Sequence, residues 1–283
     1  MLEYEEYLNY LKLDKSQKTI DHYKISGQKF LDFFSIESLE DLSKITLFDC
    51  RKFQANLAGN VSNASVNSYV RPLKVMFNWM VESGYLNESP MEKLKKLKDK
   101  KDLLPYLEEE EVLKMIHAAK KLEEKLIVAM LVSLGVRRSE LINIKLEDVN
   151  ENCINILGKG SKERQVYLPD DVFEMLKEYL NTRKNSNFPY LFRSKMGKSY
   201  SPESIRLKVK RIARMAGIDE NRIHDISPHS FRRTFATNMV ENGVDIRVIQ
   251  GAMGHSSINT TMRYANLRNS AVKKAMMGQT VLS

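Results

Sequence analysis

The stretch that decides the fold runs from residue 227 to residue 264 and reads SPHSFRRTFATNMVENGVDIRVIQGAMGHSSINTTMRY. Ser227 followed by Pro228 predicts the start of a helix, because serine can cap free N–H groups and proline is tolerated at the first helical position. A buried stripe on this helix is predicted by apolar side chains at every fourth position, Phe231, Phe235 and Met239.

Four side chains of this stretch suit phosphate chemistry: His229, Arg232, His255 and Tyr264. His229 and Arg232 are three residues apart, so they share one face of the first helical turn. The free N–H groups and the helix dipole at that end favour a phosphate oxygen. A second short helix should follow and end near Gly254, which leaves His255 in a loop and Tyr264 on a last short helix.

This arrangement resembles the tyrosine recombinase/integrase family. The family has an H-x-x-R box, then about two dozen residues, then L-G-H with a tyrosine nine residues later. Here these positions hold His229 and Arg232, then Met253-Gly254-His255, then Tyr264, with methionine in place of the usual leucine. The stretch from Gly135 to Leu141 resembles a second family box, G-x-R-x-S-E-L. Its offset selects Arg137 as catalytic and places Glu140 to hold Arg137 or an imidazole.

The composition is that of a soluble globular protein, with 42% hydrophobic and 29% charged residues. A net charge of +9 suits a polyanionic partner. The two cysteines, Cys50 and Cys153, lack metal-ligand spacing and indicate free thiols in a reducing compartment. No apolar run is long enough to cross a membrane and the N-terminus is too polar for a signal peptide, so we expect a cytoplasmic protein without membrane contact.

The chain divides at a lysine-rich stretch. Residues 1–91 predict a small four-helix domain, and aromatic side chains at helical spacing predict its core. Residues 92–106 predict a basic linker, since six lysines face three acids between residues 92 and 102. The linker is either a solvated tether or a segment that lies along a DNA backbone. Residues 107–283 predict the second domain.

A β-hairpin is predicted in the second domain, after a nearly all-apolar helix over residues 125–134. Residues 153–157 and 164–168 alternate in period 2 and flank Gly158-Lys159-Gly160-Ser161. Lys159 at the tip belongs to a generic phosphate loop, to an exposed turn or, following the resemblance, to the family's hairpin with the catalytic lysine. Lys162 and Arg164 are close alternatives. Pro202–Met215 predicts a basic helix that could face DNA.

The resemblance implies a mainly α (α+β) fold. Its N-terminal helical domain would be a SAM-like core-binding domain, and its catalytic domain would be largely helical with a small β-hairpin. Together they would form a C-shaped clamp on double-stranded DNA. A homotetramer on two duplexes is also implied, with a C-terminal helix around residues 269–279 that joins protomers. The alternative for that helix is a plain capping role.

The implied chemistry is the transfer of a DNA phosphoryl group to a tyrosine. The expected catalytic residues are Arg137, Lys159, His229, Arg232, His255 and Tyr264, with Glu140 as an accessory residue. Tyr264 would be the nucleophile and form a 3′-phosphotyrosyl intermediate. Forked hydrogen bonds from the two guanidiniums would hold the negative charge of the transition state. The sequence contains neither a metal-binding nor a nucleotide-binding motif, so we expect no metal ion, ATP or other cofactor.

Several functions fit these residues. The complete catalytic set favours a site-specific recombinase over a DNA-binding architectural protein, which should have lost at least one member. Type IB topoisomerases use similar chemistry, but the short helical domain and the tail after Tyr264 fit recombinases better. The two-domain plan resembles the Xer group, including its single-protein archaeal form. This implies resolution of chromosome dimers at a dif-like site, and integration of a mobile element is the alternative.

Overall fold

The computed structural model describes residues 2–98, 105–158, 162–183, 188–194 and 197–265. The chain forms two compact units, Met1–Asp102 and Leu103–Ser283. No helix within the described ranges is both long enough and apolar enough to span a membrane.

The first unit is helical, as the sequence predicts. Its helices are α1 (Leu2–Leu11), α2 (Gln17–Phe34), α3 (Leu39–Ser43), α4 (Leu47–Ala58) and α5 (Asn63–Glu82). The short α3 adds one turn to the predicted four helices, because Ser38 and Asp41 form a capping box that starts a helix within the predicted connection. The core is aromatic, and the ring of Phe30 packs edge-on against Phe53 and Phe77.

The first part of the predicted linker packs on this unit. Leu94 of the linker is buried in its core, as is Met91 immediately before the linker. The backbone carbonyls of Lys95 and Leu97 accept hydrogen bonds from the side-chain amides of Gln54 and Asn67, at 3.0 and 2.9 Å. The buried side chain of Leu94 and these two carbonyls attach the segment to the helical unit, so residues up to 98 follow its surface.

The second unit combines nine α-helices and a short 3-10 helix (Leu146–Asp148) with one hairpin among its described residues. The elements are α6 (Glu109–Ala118), α7 (Leu122–Leu134), α8 (Arg138–Asn143), β1 (Cys153–Leu157), β2 (Glu163–Tyr167), α9 (Asp170–Asn181), α10 (Pro202–Met215), α11 (Glu220–Ile223), α12 (Pro228–Glu241), α13 (Ile246–Met253) and α14 (Ile258–Ala265). The mainly helical fold class with a small hairpin is thus confirmed.

Helix α7 forms the centre of this unit. Its residues from Leu126 to Leu131 are all buried, and α6, α9 and α12 pack around it. This confirms the prediction from the apolar run, since a helix that is hydrophobic on all sides has to be enclosed. Gly135 ends α7 in a left-handed conformation with φ of 56°. The chain then turns sharply into α8.

Strands β1 and β2 form an antiparallel hairpin in which Ile156 pairs with Arg164 and Ile154 with Val166. One face of the hairpin joins the core, and Ile154, Ile156 and Val166 are buried there. Because side chains alternate along a strand, Arg164 lies on the same inner face as Val166. The hairpin thus carries a guanidinium toward the interior of the unit.

Helices α12, α13 and α14 follow the predicted pattern. Ser227 caps α12 and Pro228 is its first residue. Phe231 is fully buried, whereas Phe235 and Met239 are partly buried against a small cluster between α12 and α13. Gly254 ends α13 with φ of 62°, and this left-handed turn leads directly to His255.

Candidate active site

Arg137 lies at the start of α8, immediately after the turn that ends α7. This turn has no room for a side chain, because a Cβ atom on Gly135 would lie 2.3 Å from the ring of Phe235. The backbone N–H of Arg137 and its Nη1 both donate to Glu140, at 2.8 and 2.6 Å. The box Gly135–Leu141 therefore fixes both the backbone and the side chain of Arg137.

Glu140 is the carboxylate around which three arginines gather. It is only 5% exposed. Oε1 accepts from Arg137, Oε2 accepts from Arg164 at 2.8 Å, and Oε2 lies 4.0 Å from Nη1 of Arg232. Burial by itself raises the pKa of Glu140, but the hydrogen bonds from Arg164 and Arg137 outweigh this effect and lower the pKa to about 2. Glu140 is therefore ionised at neutral pH.

The C-terminal end of α13 holds the same three arginines from the other side. The carbonyls of Ala252 and Gly254 accept from Arg164 Nε and Arg137 Nη2, each at 3.0 Å, and the carbonyl of Met253, between them, accepts from Arg232 Nη2. Three successive carbonyls thus each receive one guanidinium. The partial negative charge at a helix C-terminus favours this arrangement. We call Arg137, Arg164 and Arg232 with Glu140 the arginine cluster.

Arg232 is buried, with 4% of its surface exposed. Its Nη1 donates to the carbonyl of Gly135, so it links α12 to the turn after α7. Burial, together with the charge of Arg137, lowers the pKa of Arg232 to about 10, which still leaves it charged at neutral pH. A buried cation without a full counter-charge is well suited to bind an incoming anion.

His255 lies beside the arginine cluster, in the loop after α13. Its Nδ1 is hydrogen-bonded to Oγ1 of Thr261 at 2.8 Å, and its backbone N–H donates to the carbonyl of Gln250. Burial and the charges of Arg232 and Arg137 lower the pKa of His255 to about 4. The imidazole is therefore neutral at physiological pH and has one ring nitrogen, Nε2, left for a ligand.

His229 lies in the first turn of α12, as predicted. Its side chain reaches the surface, but the surrounding protein partly desolvates it. This desolvation lowers the pKa of His229, and so do the positive charges of nearby arginines, namely Arg233, Arg138, Arg232 and Arg137. A neutral imidazole is the form that can accept a proton.

Tyr264 is carried by α14 and is partly buried against the cluster of Ala236, Val240, Ile249 and Met253. Burial lowers the pKa of Arg232 and of Arg233, whereas the phenol of Tyr264 raises the pKa of both arginines. Helix α14 packs against α12, so Tyr264 lies on the element next to the one that carries both arginines. Chain segments far apart in sequence thus bring Arg137, Glu140, His229, Arg232, His255 and Tyr264 into one region.

Lys159 and the expected C-terminal helix at 269–279 lie outside the described residues. The hairpin is described up to Gly158, where a Cβ atom would lie 3.8 Å from Oε1 of Glu140. The end of β1 that leads to Lys159 therefore borders the arginine cluster. The alternative Arg164 is already bonded to Glu140 and Ala252, which does not suit a proton donor.

The basic residues of α10 have partners within the protein. Arg206 pairs with Glu203, Lys208 with Glu123, Arg211 with Glu124 and Arg214 with Glu220. Lys208 is only 14% exposed. Two of the charges, Lys208 and Arg211, attach the helix to α7. The suggestion that α10 faces DNA stays a prediction.

Two residues of the site were not identified from sequence. Arg164 appeared only as an alternative to Lys159, although an arginine on the inner face of a strand has to be paired and could have been recognised for that reason. Thr261 carries no such signal. Its role depends on where His255 lies in space, and the spacing of six residues does not reveal it.

Two family matches cover most of the chain. The phage integrase N-terminal SAM-like domain matches residues 4–84, and the phage integrase family matches residues 105–270. Tyrosine recombinase XerA of Pyrococcus horikoshii is 36% identical over 98% of this chain and 95% of its own length. The chain belongs to the phage integrase family, as a Xer-type tyrosine recombinase. This confirms the expectation from the sequence motifs. The chain is a site-specific DNA strand-exchange enzyme.

Other tyrosine recombinases support the same assignment. XerD of Staphylococcus saprophyticus is 30% identical, with 95% of each chain covered. A crystal structure of XerA recombinase matches with a TM-score of 0.56 at 28% identity, covering 97% of this chain and 95% of that one. A XerH recombinase bound to palindromic difH substrate matches with a TM-score of 0.76, covering 91% and 79%. At 24% identity the XerH match shows the fold alone.

Proposed function

We propose that this tyrosine recombinase cleaves and rejoins DNA through Tyr264, with Arg137, Arg232 and His255 binding the scissile phosphate. The observation that carries the proposal is the arginine cluster. Its guanidiniums are fixed by Glu140 and by three successive carbonyls at the end of α13, and α14, which carries the nucleophile candidate, packs against α12, which carries Arg232. Donors that are already held in place need little reorganisation when negative charge develops on phosphate oxygens.

The proposed step is a transesterification. Oη of Tyr264 attacks the scissile phosphorus, and the bond from phosphorus to the 5′-oxygen breaks. His229 takes the phenol proton, and the leaving 5′-oxygen receives a proton from Lys159, which lies outside the described residues. The products are a 3′-phosphotyrosine and a 5′-hydroxyl. Attack by a 5′-hydroxyl of another strand reverses the step, and the ester conserves the bond energy for religation.

The protonation states of the site fit these roles. His229 has a lowered pKa and is available as a base. His255, with a pKa of about 4, is neutral and can donate from Nε2 when Nδ1 accepts from Thr261. Arg137 and Arg232 remain charged at neutral pH. In this assignment the phosphate accepts hydrogen bonds from two guanidiniums and one neutral imidazole.

The test of cleavage uses a nicked suicide substrate that loses the 5′-hydroxyl strand after cleavage. Wild-type protein should form a covalent complex that survives denaturing electrophoresis. Tyr264→Phe should bind the duplex with the wild-type dissociation constant and form no complex. Tyr167→Phe is the matched control, since Tyr167 is 66% exposed on the outer face of the hairpin. A trapped band with Tyr264→Phe would refute the assignment.

We infer further that residues 1–91 and 107–283 act as DNA-binding and catalytic domains, and that four protomers assemble on two duplexes at a dif-like chromosomal site. The support is similarity to Xer recombinases over nearly the whole chain. Sequencing the DNA covalently trapped by the protein in cells tests this. One site on each chromosome is the expected result. Enrichment at the ends of a mobile element would favour the integrase alternative.

A further inference from the structure

Arg164 is a largely buried cation that the proposed chemistry does not use. It lies on the inner face of β2, and its side chain is 12% exposed. Glu140, its carboxylate partner, is 24 residues away in sequence. Burial of a charge is costly unless the charge is paired and hydrogen-bonded, so an arginine at this position needs a specific partner set.

Three of the five N–H donors of the Arg164 guanidinium bond to two partners. Nη2 and Nη1 donate to the two oxygens of Glu140, at 2.8 and 3.3 Å, which is a bidentate pair. Nε donates to the carbonyl of Ala252 at 3.0 Å. Arg164 therefore joins β2 both to α8 and to the C-terminal end of α13.

Both partners of Arg164 also determine where the phosphate-binding arginines lie. Glu140 binds Arg137 and approaches Arg232, and the carbonyls that follow Ala252 bind those same two arginines. The packing at this point is close, since a Cβ atom on Gly254 would lie 3.0 Å from Nη1 of Arg164. Any movement of Arg164 would displace the groups on both sides of the cluster.

We propose that Arg164 is a positioning residue for strand cleavage, which holds Glu140 and the end of α13 so that Arg137 and Arg232 can bind the scissile phosphate. The inference rests on the proposed function of those arginines. Arg164 donates three of its five N–H groups to Glu140 and Ala252, and the proposal gives it no contact with the substrate. It acts through the geometry of the cluster, where a displacement of about 1 Å can cost about 100-fold in rate.

The chain contains a matched control for this idea. Arg222 also bridges a carboxylate and a backbone carbonyl, because it binds both oxygens of Glu111 at 3.0 Å and donates to the carbonyl of Tyr106. Its partners are not shared with the arginine cluster. Arg222→Met should therefore remove a comparable bridge and lower stability without affecting the phosphate-binding geometry.

The first experiment compares wild type, Arg164→Met, Arg164→Lys and Arg222→Met on the suicide substrate at saturating protein. The single-turnover rate of covalent complex formation should fall about 100-fold in Arg164→Met. Arg164→Lys keeps the charge but not the fork, and its rate should fall less. Both Arg164 variants should keep the wild-type dissociation constant for the duplex. Arg222→Met should cleave at the wild-type rate, and melting temperatures identify any variant that fails to fold.

A second substrate identifies the step that Arg164 supports. When sulfur replaces the bridging 5′-oxygen, the leaving thiolate needs no proton, so a defect in leaving-group protonation disappears. Because Arg164 acts on the phosphate-binding arginines, Arg164→Met should lose the same factor on the sulfur substrate as on the oxygen substrate. Full rescue by sulfur would overturn the proposal. In a Glu140→Gln background Arg164→Met should cause little further loss, since coupled residues are not additive.

The outcomes separate the two proposals. If wild-type protein forms no covalent complex, both fail. If wild type reacts and Tyr264→Phe does not, the proposed function stands. In that case two results refute only the positioning role of Arg164. One is cleavage by Arg164→Met at the wild-type rate, and the other is an equal loss of cleavage rate in Arg222→Met.

Discussion

Nδ1 of His255 lies 2.8 Å from Oγ1 of Thr261, and Thr261 is fully buried. The hydrogen bond orients the imidazole and fixes which ring nitrogen is left for the phosphate. The threonine belongs to α14, the same helix that carries the nucleophile candidate Tyr264. A single helix therefore orients His255, a proposed phosphate ligand, and carries the proposed nucleophile.

We expect Thr261→Val to reduce the rate of covalent complex formation about fivefold, because the variant keeps the shape but loses a hydrogen bond worth about 1 kcal/mol. Thr261→Ser should keep most of the activity. Thr260→Val is the neighbouring control, since Thr260 is exposed. Single-turnover cleavage measures all three variants, and equal rates for Thr261→Val and Thr260→Val would contradict the role.

Arg137→Ala should lower cleavage about 10²–10³-fold, the usual effect of removing one donor to a developing negative charge. Its affinity for duplex DNA should change little, because many other phosphate contacts contribute to binding. Arg138→Ala is the adjacent control, and its cleavage rate should fall only slightly. Cleavage and binding are measured separately with the suicide substrate and by titration. A loss in Arg137→Ala below about threefold is too small for such a donor and would remove it from the phosphate site.

Glu140→Gln should destabilise the protein by about 3 kcal/mol at neutral pH, because three arginines lose their shared counter-charge. The pKa of Glu140 is lowered from 4.5 to about 2, so its contribution to stability is complete above pH 4.5 and declines as the pH falls toward 2. The difference between wild type and variant in urea unfolding should therefore narrow below pH 4.5.

Glu203→Gln is the control for this experiment, since its partner Arg206 is on the surface. This variant should unfold at the wild-type urea concentration at neutral pH. A difference between wild type and Glu140→Gln that stays constant from pH 6 to pH 3 would contradict the ionised, paired state of Glu140.

Covalent complex formation should proceed at an unchanged rate in excess EDTA and without nucleotide. The reason is chemical, because in the proposed function the guanidiniums of Arg137 and Arg232 supply the positive charge that a metal ion provides in other phosphoryl transfer enzymes. The suicide-substrate assay with and without EDTA measures this. Strict dependence on added Mg²⁺ would mean that the two arginines do not carry the charge of the transition state.

The sequence by itself determined the helices and the motif residues of the site. Ser227 and Pro228 start α12, Gly254 ends α13, and the apolar run of α7 predicts a buried helix. These features are local, because caps, glycine turns and hydrophobic period act within a few residues. The spacing of Arg232, His255 and Tyr264 along the chain is likewise a property of the sequence, so the resemblance to a family could be recognised from it.

The tertiary structure decided how the arginines are held. Arg164 and Glu140 are brought together from different elements, and their roles follow from the spatial position of the carbonyls at the end of α13. Hydrogen bonds between distant segments leave no periodic trace in a sequence, because their geometry depends on how helices and strands pack. The partners of Arg164 and Thr261 were therefore visible only once the second unit had been assembled in three dimensions.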